Sequence, residues 1–402
     1  MDSVALYLHV PFCRHKCPYC DFNAYSGLER LIGPFVEALE REICNWSLLL
    51  SGRAVPTIFL GGGTPSLLPG AELARLLTAC RNAFAVSSDV EVTLEANPGT
   101  LDLPRLQAYR QAGVTRLSLG AQSFHDPELR WLGRDHTAGQ TREAVSLARV
   151  AGFENLSLDL IFGLPGQTLA AWQDSLDEAL ALRPEHVSCY ALTVEEGTPL
   201  ARRVASGRDP APDPDLQADQ YQVAEDLLEA GGFVHYEISN WARPGYECRH
   251  NMTYWRNEPY VGLGPGAHSY FAGYRFSTVR SPGAYIRAMA RGGDTAMRRT
   301  GDTAISGVGD EAMRRASPIA ESEFVDPKTD LFDTLTQGLR LVEGVDLRAA
   351  RRRHGPFDER VFEPLRDGGL VDREGDWARL TRRGRLLANE VSLAIMEALG
   401  LP

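Results

Sequence analysis

The chain has 402 residues, of which 44% are apolar and 24% charged, too long for one small core and suited to one large domain with one or two smaller ones. Its formal charge of −11 argues against a chain built as a whole to bind nucleic acid or anionic lipid. No apolar run nears the ~18 residues of a transmembrane segment, and Met-Asp-Ser running into a strand-like stretch is no signal peptide. A cytoplasmic protein is therefore expected, with seven cysteines serving as metal ligands or core thiols rather than as a disulfide framework.

In chain order, short apolar runs at Ala5–Val10, Thr57–Leu60, Val90–Glu95, Arg116–Leu119, Leu156–Phe162 and Val187–Leu192 predict strands. Helical patterns fall between them near 31–50, 71–84, 102–112, 139–151 and 169–182. Runs such as LSLDLIF read as apolar on nearly every residue, as in strands covered on both sides. The sixfold alternation predicts an α/β fold with a parallel sheet, as a closed barrel, a partial (β/α)6 barrel or an open doubly wound sheet. Polar residues gather just after the strands, the barrel habit for chemistry. Residues 201–215, rich in Pro and Asp, read as a loop before a helix at 216–231 and a strand at Val234–Ile238. GDTAMRR at 293–299 is nearly repeated as GDEAMRR at 309–315, and this Gly-rich stretch reads as a surface insertion. From about 328 short helices lead to a strand pair, Leu370–Asp372 and Ala378–Leu380, and a last helix from about 382, a small winged-helix-like α+β module. Its basic runs, Arg351 to His354 and Arg382, Arg383 and Arg385, read as solvated helix surface.

The strongest signal is Cys13-x3-Cys17-x2-Cys20. Thiolates are the natural ligands of iron–sulfur clusters, and Pro11 and Pro18 break regular structure so that a tight loop can wrap a cubane corner. Three ligands leave one iron of a [4Fe–4S] cluster open to the amino and carboxylate groups of S-adenosylmethionine (SAM). The rivals are a zinc site completed by His15 or Asp21 and a chance trio of core thiols. Cys44, Cys80, Cys189 and Cys248 read as core or inert thiols, with Cys248 less secure because it lies near His250.

YLHVPFCRHKCPYCDF resembles the start of the radical-SAM family that includes oxygen-independent coproporphyrinogen III dehydrogenase (HemN) and the HemW-type heme chaperones. The resemblance continues through GGGTPS (61–66), EANP (95–98), LGAQSF (119–124), LGRDH (132–136), DLIFGLPGQT (159–168) and QGLRLVEGVDL (337–347). It implies a barrel core over 1–200, a barrel-completing and substrate or heme region over 201–292, an insertion or loop over 293–320 and a HemN-type C-terminal domain over 321–402. It also implies SAM contacts from Tyr7, Gly62, Gly63, Thr64, Glu95, Gln122, Arg134 and Asp159. Taken alone, each of these reads as a turn, a packed ring or a satisfied polar group at a strand end.

Two functions compete: oxidative decarboxylation of coproporphyrinogen III to protoporphyrinogen IX, and heme binding and delivery. The dehydrogenases extend the motif to a fourth cysteine, where this chain has Phe22. The hexapeptide His250-Asn251-Met252-Thr253-Tyr254-Trp255 matches the HNxxYW signature of the chaperones and makes His250 the leading heme ligand, since neutral imidazole is a good axial ligand. The plain alternative is a packed, hydrogen-bonded histidine, and His9, His15, His125, His136 and His268 also remain candidates. The chaperone reading implies heme-accepting partners, respiratory membrane complexes among them, and is compatible with peripheral membrane association. Another radical-SAM enzyme acting on an unknown substrate stays open.

Overall fold

The computed structural model describes residues 3–296 and 310–401. Six strands, β1 (Ala5–Val10), β2 (Ala54–Gly62), β3 (Ala85–Ala96), β4 (Arg116–Gln122), β5 (Leu156–Phe162) and β6 (His186–Ala191), lie side by side in chain order. Each neighbouring pair is parallel. Because the order never reverses, right-handed crossovers bring all the intervening helices to one face. The fold is thus the partial barrel and not the doubly wound sheet.

The helices form where their caps and apolar spacing dictate. In α1 (Ile32–Trp46) the buried residues Phe35, Val36, Leu39, Ile43 and Trp46 recur at helical spacing, and Glu42 lies buried on the same stripe. Helix α2 spans Gly70–Ala83. Asp102 caps α3 (Leu103–Ala112) by accepting from the Arg105 amide. Thr137 and Gln140 close a capping box on α4 (Ala138–Val150), and Thr168 caps α5 (Leu169–Ala181).

The strand interiors correct one expectation. LSLDLIF is not apolar on both faces: Leu156, Leu158 and Leu160 join the helices in one apolar core, while Ser157 and Asp159 hydrogen-bond to each other on the other side. In β4, Arg116, Ser118 and Gln122 fall on that inward set by the two-residue period of a strand. The barrel is greasy outside, beneath its helices, and polar inside.

The predicted loop at 201–215 holds for 206–213 and is corrected at its two ends. Helix α6 (Pro199–Ala205) begins where Thr198 accepts from the Ala201 amide, and it buries Leu200 against Leu132, Ile161 and Leu164. Helix α7 follows at Pro214–Ala230. Next, β7 (Val234–Glu237) and β8 (Asn240–Ala242) add antiparallel to the β6 edge. Helix α8 (Arg249–Trp255) carries the histidine hexapeptide. On the opposite edge β9 (Tyr260–Leu263) lies parallel to β1. An antiparallel series of β10 (His268–Phe271), β11 (Tyr274–Thr278) and β12 (Ile319–Phe324) extends it.

Residues 297–309, which include the end of the first copy of the near-duplication and the first residue of the second, lie outside the described residues. Met313 of the second copy and Ala316 just after it are buried in the main core. The Ala316 carbonyl accepts from Asn45 Nδ2, and Ser317 Oγ accepts from Trp46 Nε1 at 2.7 Å. The part read as surface insertion therefore ends in packing against α1, and β12, which starts at Ile319, belongs to the main sheet.

Beyond Pro327 a second core forms around Leu335, Phe362 and Ile395, with a three-stranded antiparallel sheet of Val345–Asp346, Trp377–Leu380 and Val371–Glu374. This is the expected winged-helix-like module. Its basic residues are not simply solvated. Arg382 Nε and Arg385 Nη2 both donate to buried Glu225 of α7 at 2.7 Å. Arg353 donates to Asp330 at 2.9 Å, and Asp330 also accepts from Asn257 and from the Tyr270 hydroxyl of β10. These bonds dock the module on the barrel.

Candidate cofactor site

The three cysteines sit where β1 gives way to loop. Pro11 ends the strand, and Phe12–Cys13 pairs with Tyr25–Ser26. The Cys20 amide donates to the Cys17 carbonyl at 3.1 Å, which makes the turn tight. The glycine run after β2 grips this loop from beneath: the Gly63 amide donates to the Val10 carbonyl at 2.8 Å and the Thr64 amide to that of Phe12 at 2.7 Å. A side chain at Gly63 would meet those same two carbonyls, 2.6 Å from that of Phe12 and 2.9 Å from that of Val10. Only glycine allows this approach.

All three thiols open on one cavity of about 400 Å3. Burial pushes the Cys20 thiol up to about 11 and raises Cys13 as well, the latter opposed by the Thr64 hydroxyl that donates to its sulfur at 3.4 Å. A metal must displace those protons. No group of three or more His, Cys, Asp and Glu side chains among the described residues converges on one metal ion, so the zinc alternative finds no set here. A cubane makes a different demand, since each thiolate bonds a different iron.

Seven of the eight residues expected around SAM line the thiol cavity: Gly62, Gly63, Thr64, Glu95, Gln122, Arg134 and Asp159. Tyr7 does not. It faces an adjoining cavity of about 730 Å3, where its hydroxyl bonds His9 Nδ1 at 3.1 Å. Glu95 and Gly62 line both spaces. Glu95 accepts from the Gly62 amide at 3.1 Å, and burial, followed by the nearby charge of Asp159, raises its carboxyl to about 7. Desolvation raises half-buried Asp159 too, although Ser118, Ser157 and Ser188 all donate to it at 2.9–3.0 Å.

Two residues keep unused polar capacity. Gln122 stands at φ +65° at a break in strand register, a backbone region that costs a non-glycine residue of order 1–3 kcal/mol. Its side chain makes no hydrogen bond among the described residues and lines the cavity. Arg134 donates to Cys17 Sγ and to the Gly120 carbonyl, yet its Nε is buried without a partner. Thiols, a backbone cradle and unspent polar atoms on one cavity fit a thiolate-bound cluster with a polar organic ligand beside it.

The histidine helix runs between the two cavities. Asn251 lines the first; Tyr254 and Trp255 line the second. His250 lines neither. It is 1% exposed, its Nδ1 bonds Thr57 Oγ1 at 2.9 Å and its Nε2 the Tyr254 hydroxyl at 2.8 Å. Its ring stacks on Phe59 with centroids 5.0 Å apart. Burial, then the charge of Arg116, lowers it to about 3. It stands in the packed role named above as the alternative, and ligating iron would require breaking one of these bonds. Nearby Cys248 is a buried thiol that donates to Glu91, and the Glu91 carboxylate also accepts from the Arg249 and His250 amides that begin α8.

Sequence reasoning missed Arg116, Ser118 and Ser188, which line the thiol cavity. The signal was available for two of them: in RLSLGAQ the polar residues alternate with leucines.

Residues 7–179 match the model of the radical SAM superfamily, and residues 325–387 that of the HemN C-terminal domain. The chain is 36% identical over 390 residues to the heme chaperone HemW of Bacillus subtilis, covering 96% of this chain and 97% of that one. It is 40% identical over 389 residues to that of Mycobacterium tuberculosis H37Rv, covering 96% and 93%. The chain belongs to the HemW heme chaperone family. A solved structure, the coproporphyrinogen III oxidase HemN of Escherichia coli, superposes with a TM-score of 0.81 over 98% of this chain and 90% of that one, at 22% identity. That likeness shows a shared fold. In this HemW-family chain no helix among the described residues is long and apolar enough to cross a membrane.

Proposed function

We propose that this protein carries a [4Fe–4S] cluster on Cys13, Cys17 and Cys20, binds SAM in the adjoining pocket, and receives heme for delivery to acceptor proteins. Phe22 carries the choice of delivery over porphyrinogen oxidation. It occupies the position of the dehydrogenases' fourth cysteine, is 60% exposed, and lines both cavities. A phenyl ring neither ligates metal nor relays a proton, but it suits the entrance to a space for a flat apolar ligand. The names of the full-length relatives point the same way.

The chain's own residues have definable tasks. When bound, a cluster with one open iron supplies one-electron chemistry at the SAM sulfonium. Arg134, whose Nε is unused, is assigned to pair with the SAM carboxylate. Glu95 and Gln122 supply an acceptor and a neutral amide to its other polar groups. Heme-accepting proteins, including respiratory membrane complexes, are the proposed partners, and the cytoplasm, with contact at the membrane surface, the proposed location.

The test uses anaerobically reconstituted protein. Heme should bind and pass to an apo heme protein, and coproporphyrinogen III with SAM and a reductant should remain unconverted. Formation of protoporphyrinogen IX would refute delivery as the function. Cys17→Ala should lose most iron and sulfide; a full, SAM-responsive cluster in that variant would refute the ligand set.

A further inference from the structure

The second cavity has no assigned occupant, and its wall is specific. It lies between the open edge of the barrel and the C-terminal module, which contributes Gln337. Its volume of about 730 Å3 is within the range of about 300–1,000 Å3 usual for organic ligands. The strand period puts His268 and Tyr270 on one face of β10, with Ser269 and Phe271 buried behind them. Across the hairpin His268 pairs with Ser277 and Tyr270 with Arg275. Tyr254 and Trp255 from the histidine helix and Tyr260 from β9 complete an aromatic lining.

A survey of the nine histidines isolates His268. His9, His125, His136, His186, His235, His250 and His354 each spend at least one ring nitrogen on a protein hydrogen bond. His15 and His268 make none through their rings among the described residues. His15 lines the thiol cavity, whereas His268 is exposed on the second. The cations on that wall also differ. Arg275 is held by Glu323 and Asp333, but the Arg280 guanidinium has no partner among the described residues and lines the cavity. The lining also carries Asp21, Glu95, Glu258 and Glu321, which disfavour carboxylates, so Arg280 is the group on this wall left to receive an anionic one.

We infer that this second cavity is the heme seat, with His268 facing the iron, the tyrosines and Trp255 against the macrocycle, and Arg280 holding a propionate. The inference rests on the proposal that the protein binds heme, and it transfers the iron contact from His250 to a histidine outside the hexapeptide. The hexapeptide's part becomes Tyr254 and Trp255 in the wall, with His250 bracing Tyr254 from behind.

Heme titration of the full-length protein, followed by the Soret band, tests it. His268→Ala should shift the band and weaken binding at least about tenfold, since removing even a supporting partner of a metal ligand costs that much. Added imidazole should restore the band position. Arg280→Ala should weaken binding with the band unmoved. Ser277→Trp, which fills the space beside an intact His268, should block binding. An unchanged band and affinity in His268→Ala, with binding lost in His250→Ala or His15→Ala at wild-type circular dichroism, would overturn the seat and leave heme binding standing. Failure of the wild-type protein to bind heme would overturn both.

Discussion

Arg134 donates through Nη1 to Sγ of Cys17 at 3.7 Å and through Nη2 to the carbonyl of Gly120 at 3.0 Å, so one guanidinium joins the thiol loop to the end of β4. The fixed charge lies beside the sulfur, and the remaining nitrogen, Nε, is buried without a partner.

Arg134→Gln should therefore separate two properties. Charge-assisted hydrogen bonds contribute about 1.5–3 kcal/mol, so SAM affinity should fall roughly 10- to 100-fold by equilibrium dialysis. Iron and sulfide content should stay near wild type because all three thiols remain. Unchanged SAM affinity would remove Arg134 from the pocket.

Gly63→Ala should damage the cluster site without touching any ligand. The new methyl group collides with the carbonyls of Phe12 and Val10 and must push the cysteine loop away, at a cost of about 1–3 kcal/mol typical of overpacking. Iron content after reconstitution and the thermal midpoint should both fall. Gly33→Ala is the contrast: no atom beyond its chain neighbours and its own helix backbone comes within 4 Å of a methyl group there, and iron content should stay at the wild-type level.

Glu42 should make stability depend on pH. Burial raises its carboxyl to about 7, against hydrogen bonds from Ser317, Tyr285 and the Gly264 amide, whereas the unfolded chain titrates near pH ~4.3. Below that value both states hold the proton. As pH rises the unfolded state releases it first, so stability is full in acid and is lost up to about pH 7. Glu42→Gln cannot ionise and should flatten this slope in urea denaturation, gaining on the order of 1–3 kcal/mol over wild type at about pH 8. A slope parallel to wild type would refute this account.

Glu225→Ala should loosen the C-terminal module. It strands Arg385, whose guanidinium is largely buried, and removes a partner of Arg382. Breaking such a pair costs about 3–5 kcal/mol. Limited proteolysis should release a fragment near the module boundary before the barrel is cut. Simultaneous loss of both units would mean that other contacts dominate the junction.

The sequence exposed what has a strong local signature. Long parallel strands and capped helices declare themselves by apolar period, and Cys13, Cys17 and Cys20 by spacing. The antiparallel strands at both edges of the sheet were mostly hidden because three to six residues, as in Asn240–Ala242 and Ile319–Phe324, hold too few periods to read. Helix α6 was masked by the Pro and Asp that follow it. Glu42 and Arg116 show a deeper limit: charged letters in a pattern look like surface, and only the fold reveals that both are enclosed. His250 shows the converse, since a motif names a residue without saying which way its ring is engaged.

Phe22, Asp21, Gly62 and Glu95 belong to both cavities, so the two spaces share a partition. A ligand that fixes this partition from one side has already ordered the surface the other ligand meets. Thermodynamic linkage makes such an effect reciprocal. Under the proposed function, whatever factor SAM applies to affinity on the far side of the partition, the ligand there must apply to SAM. The exposed ring of Phe22 is a single side chain of that partition on which the exchange can be measured.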